Sequence, residues 1–115
     1  VIPSYDILAT QPSASWPTES PLRQLSDTFR EIRRLLKVMG ERVGNLPIEP
    51  DEQTALCDAT MALPGVVAAV VPGAGGYDAV ACLYIDRPGV LEGIERLWAS
   101  VSAQEQEEEE GGEEE

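Results

Sequence analysis

A chain of 115 residues is long enough for one domain with its own core, and its 21 acidic against 8 basic side chains argue against a nucleic-acid-binding surface. Eight of the acids are glutamates between Gln104 and Glu115, a segment without one apolar side chain; the remaining body carries 13 acidic and 8 basic residues, a net −5 in place of −13. With nothing apolar to offset its ordering entropy, 104–115 is expected to be disordered, as a solubilising end or an acidic docking segment.

The two cysteines, Cys57 and Cys82, show no C-x-x-C spacing, and the chain has no histidine and no secretory leader pattern. Small buried thiols in a reducing compartment, the cytoplasm, are expected, with no metal site. Pro72 and several glycines interrupt the longest apolar run well before the roughly 18 residues that a membrane helix needs.

In chain order, 1–18 contains three prolines, scattered serines and no period, and reads as irregular. The body is placed at 19–103. Ser20-Pro21 supplies a helix cap followed by proline at the first helical position. Leu22, Leu25, Phe29, Ile32, Leu36, Met39 and Val43 then recur at spacings of three and four, which predicts a long helix over 21–43 with one apolar stripe, stopped near Gly44. A second helix is expected from Pro50, with Asp51 and Glu52 near its exposed amides and Ala55, Leu56, Ala59 and Leu63 facing inward, ending before Pro64-Gly65.

Val66 to Val71 and Asp78 to Ile85 read as two strands, and the six residues between them can continue neither. Pro72 lacks the amide proton of a ladder, and Gly73, Gly75 and Gly76 can take positive φ. The result is an antiparallel hairpin with an amide-rich tip, either a plain turn or a backbone nest able to close around a phosphate. Asp86-Arg87-Pro88 then opens a third helix with Val90, Leu91, Ile94, Leu97, Trp98 and Val101 on one face. Helix, helix, strand, strand, helix is an α+β order.

The wording of the hairpin narrows the choice. Leu63-Pro64-Gly65-Val66-Val67 followed by Val70-Val71-Pro72-Gly73-Ala74-Gly75-Gly76-Tyr77-Asp78-Ala79 closely resembles the C-terminal glycine-rich motif of the phosphomevalonate kinase family of fungal type, within the superfamily of galactokinase, homoserine kinase and mevalonate kinase. The resemblance takes in Pro47-Ile48-Glu49-Pro50, Gln53-Thr54 and Leu56, and Trp16 with Thr18-Glu19-Ser20-Pro21-Leu22-Arg23, covering roughly Trp16 to Leu97. It implies a C-terminal-domain fragment of a ferredoxin-like sandwich, from an enzyme that moves the γ-phosphoryl group of MgATP onto 5-phosphomevalonate to give 5-diphosphomevalonate in isoprenoid and sterol synthesis. The superfamily's nucleotide loop, P-x-x-x-G-[LI]-[GS]-S-[SA]-A, has no match here, so the chain reads as about the last quarter of the enzyme and is expected to be inactive alone.

The residues that the resemblance marks are the loop Pro72, Gly73, Ala74, Gly75, Gly76, Tyr77 and Asp78. Asp78 is open to capping loop amides, orienting a Mg2+-bound water or meeting a substrate hydroxyl, and Tyr77 to packing on the first helix; neither is expected to be the catalytic base. Arg23, Arg30, Arg34 and Lys37 share the polar side of the long helix, as a solvated face or as phosphate contacts, with Arg23 in the first turn the best placed for the latter. The rival class is a non-enzymatic interaction module that binds a partner through its open sheet edge or its acidic tail.

Overall fold

The computed structural model describes residues 4–44, 46–73 and 75–113. It holds four α-helices, α1 (Tyr5–Leu8), α2 (Pro21–Arg42), α3 (Asp51–Met61) and α4 (Val90–Glu113), and an antiparallel pair of strands, β1 (Val66–Val70) and β2 (Ala81–Tyr84). The α+β order therefore holds. The larger sheet of a ferredoxin-like sandwich is not present among the described residues, whose sheet has two strands.

The strand β1 is apolar throughout and buried along nearly its whole length, as the unbroken run Val66–Val71 implies for a strand covered on both faces. Val66 pairs with Tyr84 but Ala68 with Leu83, so Val67 is the extra residue of a bulge. Beyond β1, β2 alternates: Cys82 and Tyr84 turn inward while Ala81 and Leu83 face out. It begins at Ala81 and not at Asp78, because 71–80 is given over to a wide tip.

The main core joins Leu8, Trp16, Val66, Val67, Ile85, Val90 and Ile94; a smaller cluster, Cys57, Met61, Ala69 and Val71, lies under α3. The third predicted helix supplies Val90 and Ile94 as expected, although it starts at Val90, after a turn in which Gly89 has φ of +93°, and leaves Leu91 exposed. Its backbone runs on through the acidic segment to Glu113, where disorder was expected. Glutamate and glutamine are good helix formers, and a helix already nucleated on the core extends at one hydrogen bond per residue added.

Two inward faces differ from the sequence reading. In α2 the buried positions are Ser26, Arg33 and Gly40, flanked by half-buried Leu22, Phe29 and Leu36, whereas Leu25, Ile32, Met39 and Val43 of the expected stripe are exposed. The apolar arc of α2 is wider than the narrow sheet can cover, so β1 takes one edge of it and the other faces out. In α3 the buried residues are Gln53, Cys57, Thr60 and Met61; Ala55 and Ala59 are exposed, Leu56 half-buried. Cys57 and Met61 of this face enter the smaller apolar cluster, while its two polar members meet polar partners: Gln53 donates to the Gly76 carbonyl and Thr60 accepts a hydrogen bond from the Trp98 indole at 3.0 Å.

The N-terminal stretch read as irregular contains α1 and a 3-10 turn at Ser13–Ser15, and it is stitched to the body. The Trp16 indole donates to the carbonyls of Leu8 and Gln11 at 2.9 and 3.0 Å, Pro12 bridges to Pro64, and the Gly65 amide donates to Gln11. Elements this short carry no period to read. Trp16 fills the centre of the main core, so Trp16→Ala is expected to lower stability by about 3–5 kcal/mol, read as a shift of the urea midpoint.

Candidate functional site

Around the loop 46–50, α2 and the glycine tip converge on one piece of backbone. Gly40 of α2 lies beneath it: a β-carbon there would stand 2.8 Å from the Leu46 carbonyl oxygen and 3.1 Å from the Ile48 nitrogen. Gly75 lies above it, where a β-carbon would meet the Ile48 carbonyl oxygen at 2.6 Å and its Cα at 2.7 Å. Only side-chain-free residues allow such approaches. Gly76 then donates its amide to the Ile48 carbonyl at 3.0 Å, and the Gly75 amide donates to Pro72 at 3.3 Å. Gly73, Gly75 and Gly76 all have positive φ, +65°, +87° and +98°.

The same loop is clamped by charge. Arg33 reaches Glu49 through Nε at 2.6 Å and Nη2 at 3.3 Å, and pairs with Asp58 at 2.9 Å. Thr54 Oγ1 donates to the second Glu49 oxygen at 2.6 Å, and Lys37 Nζ donates to the Glu49 carbonyl at 3.0 Å while pairing with Asp51 at 2.9 Å. Arg33 and Glu49 are both buried, 8% and 5% exposed at their side chains, and a buried charge pair is tolerated only with its remaining hydrogen-bonding capacity met. Burial opposes ionisation of Glu49, but the hydrogen bonds from Arg33 and Thr54 and the charges of Arg33 and Lys37 outweigh it and hold the carboxyl below the usual glutamate range. An open cleft of about 570 Å³ lies over this network, lined among others by Arg30, Arg33, Arg34 and Lys37.

Of the residues singled out in the sequence, Pro72, Gly73, Gly75, Gly76, Tyr77 and Asp78 fall together at the tip, while Ala74 lies outside the described residues. The tip borders a groove of about 410 Å³ whose walls are Met39, Val43, Leu46 and Ile48, an apolar setting and not a basic one. Tyr77 does not pack on the long helix; it is exposed, and its hydroxyl donates to Glu52 of α3 at 3.2 Å. Asp78 is exposed as well, with no hydrogen bond to the described loop residues.

Arg23 stands apart from the tip. Its Nε faces both Asp27 oxygens at 3.1 Å, and Nη1 donates to the Ala14 and Trp16 carbonyls at 2.8 Å, so the guanidinium ties the N-terminal stretch to α2. Arg30 bonds Ser13 and Ser26, and Arg34 pairs with Glu31. Arg23, Arg30, Arg34 and Lys37 are thus each paired with a carboxylate. Sequence reasoning missed Arg33, Gly40 and the clamping role of Glu49; the readable signal was the seven-residue spacing of Ser26, Arg33 and Gly40, which puts three residues that are not apolar on one line of the helix. Burial pushes both the Cys57 and Cys82 thiols up to about 11, although only Cys57 is fully buried and Cys82 is half-buried.

Known proteins share part of this sequence. The chain is 39% identical over 79 residues to the peroxisomal phosphomevalonate kinase of Arabidopsis thaliana, 43% over 65 residues to the phosphomevalonate kinase of Candida albicans and 42% over 80 residues to that of Gibberella zeae. These matches take in 69%, 56% and 67% of this chain but only 15%, 15% and 18% of the relatives' own length. The resemblance read from the hairpin therefore holds, and it extends to a plant enzyme. No family model and no solved structure matches the chain.

Two outcomes are expected of this geometry. Gly76→Ala meets open space and only the cost of a left-handed residue, of order 1–2 kcal/mol, whereas Gly75→Ala adds a collision with Ile48 backbone and should lower the urea midpoint clearly further. Separately, the folded chain keeps Glu49 ionised at pH values where the unfolded chain protonates it, so its contribution is present above the unfolded value of about 4.3 and is lost as pH falls through the lowered folded value. Glu49→Gln should accordingly be less stable than the parent near pH 7, with the difference shrinking on acidification below pH about 4; a constant gap in urea midpoint from pH 7 to 3 would contradict this.

Proposed function

We propose that this chain is the C-terminal part of a phosphomevalonate kinase, the reading supported by the sequence it shares with enzymes of that name and carried by the mounting of its PGAGGYDA tip. In the whole enzyme the γ-phosphoryl group of ATP passes to the phosphate of 5-phosphomevalonate, giving 5-diphosphomevalonate. Such a transfer depends on positioning and on charge stabilisation more than on covalent chemistry by the protein. The part of this segment is to brace: the tip, fixed on Ile48, forms one wall of the phosphate cavity beside the nucleotide loop supplied by the remainder of the enzyme. With the Gly75 and Gly76 amides already given to Pro72 and Ile48, that wall acts by its shape more than by donating those two hydrogen bonds to phosphate.

Phosphoryl transfer of this kind uses Mg2+ to neutralise the nucleotide phosphates. Among the described residues no group of three or more acidic, cysteine or histidine side chains comes together to hold a metal ion. The outward Leu83 of β2 and the uncovered apolar edge of α2 support a ferredoxin-like sandwich completed by further strands of the enzyme. Free cysteines at 57 and 82 support a reducing compartment, the cytoplasm.

The test is replacement of the matching segment of the Candida albicans enzyme by residues 16–97 of this chain, with ADP release on phosphomevalonate as the readout. The chimera should turn over, and the 115-residue chain alone should not rise above the buffer blank. A folded chimera without turnover would overturn the reading.

A further inference from the structure

Every described hydrogen bond between residues 72–78 and the rest of the chain goes to one short segment. Ile48 takes the Gly76 amide and the close face of Gly75, Gln53 Nε2 donates to the Gly76 carbonyl at 3.4 Å, and Glu52 accepts from the Tyr77 hydroxyl at 3.2 Å. That segment, 48–53, is held to α2 by Arg33 and Lys37, which grip Glu49 at its carboxylate and its carbonyl, and by Lys37 on Asp51. We infer that Glu49 is a positioning residue for the glycine tip: held by Arg33 and Lys37, it fixes through the Ile48 backbone where Gly75 and Gly76 stand relative to α2.

The chemistry of the clamp favours this over a purely stabilising role. A buried ion pair adds little net stability over an apolar pair of the same volume, because desolvation consumes most of the attraction. What it adds here is direction. The two Glu49 oxygens and its carbonyl are each gripped by a different donor, so the residue can neither rotate nor slide, and the preceding carbonyl, Ile48, points at the Gly76 amide. Gly40 removes the remaining freedom by letting α2 touch the Leu46 and Ile48 backbone from below. The tip itself, with three glycines at positive φ, has little internal stiffness and takes its place from this mount.

The inference extends the kinase reading, and its consequence for turnover rests on that reading, but the coupling can be measured in the chain as it stands. Amide hydrogen exchange is followed at Gly76, bonded to Ile48, and at Ile85, whose amide donates to Gly65 in the core at 2.8 Å. Glu49→Gln should speed exchange at Gly76 by about tenfold or more beyond the acceleration at Ile85, which reports only the loss of overall stability, and Arg33→Lys, which keeps the charge but loses the two-pronged grip, should fall between. Equal acceleration at both amides would show a general loss of stability and overturn the proposal, as would no change at Gly76. Should Glu49→Gln fail to fold, Lys37→Met, which frees the Glu49 carbonyl, Asp51 and the Thr54 hydroxyl but leaves the Arg33–Glu49 pair in place, is held to the same two amides. In the Candida albicans chimera, Glu49→Gln should lower kcat by about tenfold with KM for phosphomevalonate within about twofold, while Ile94→Val, a core change remote from the clamp, alters neither. An unsubstituted chimera without turnover counts against the kinase reading and leaves the exchange result to decide the coupling; an active chimera in which Glu49→Gln keeps its kcat overturns the positioning role.

Discussion

The backbone of Ile48 is the piece on which the rest of this structure depends. It lies between two glycines that come from distant parts of the chain, Gly40 in the long helix and Gly75 in the hairpin tip, each close enough that one added carbon would collide with main-chain atoms. A main chain cannot be repacked as a side chain can, so both contacts are intolerant of substitution. Hydrophobic burial assembles the core around β1, but it leaves the tip undetermined, because a glycine-rich turn has almost no apolar surface to bury. Directional contacts do that work: one amide bond to Ile48, and the Arg33–Glu49 pair that keeps Ile48 where it is.

How much of this could be read from sequence follows from which interactions are local. The long helix from Pro21, the hairpin around the glycine tip and the apolar face led by Val90 and Ile94 rest on period and turn chemistry, and the structure has all three. The inward face of α2 was misread because the three-and-four spacing of Leu22, Leu25 and Phe29 defines an apolar arc without saying which edge of it meets the sheet. Arg33 was passed over for a related reason. A charged residue on a helix is taken to face water, and its burial becomes explicable only beside Glu49, sixteen positions away.

The site shows the same division. The glycines and Pro72 announced a turn, and their wording pointed to a kinase family that the relatives bear out. What the letters could not convey is that the tip is mounted on its neighbours. Tyr77 reaches Glu52, 25 residues before it, and Arg23 serves the N-terminal stretch through the carbonyls of Ala14 and Trp16. Bonds to main-chain carbonyls leave no mark on side-chain chemistry, so a basic residue in a first turn reads the same whether it holds a phosphate or its own chain.

The uncovered edge of α2 also governs how this chain behaves in solution. Leu25, Ile32, Leu35, Met39 and Val43 leave apolar surface along more than four turns of helix, while the chain as a whole carries a net charge of −13. Like charge holds copies apart only over a Debye length, about 8 Å at physiological ionic strength and about 3 Å at 1 M salt. Rising ionic strength therefore removes the repulsion between copies while leaving the exposed leucine, isoleucine and methionine side chains of α2 as they are.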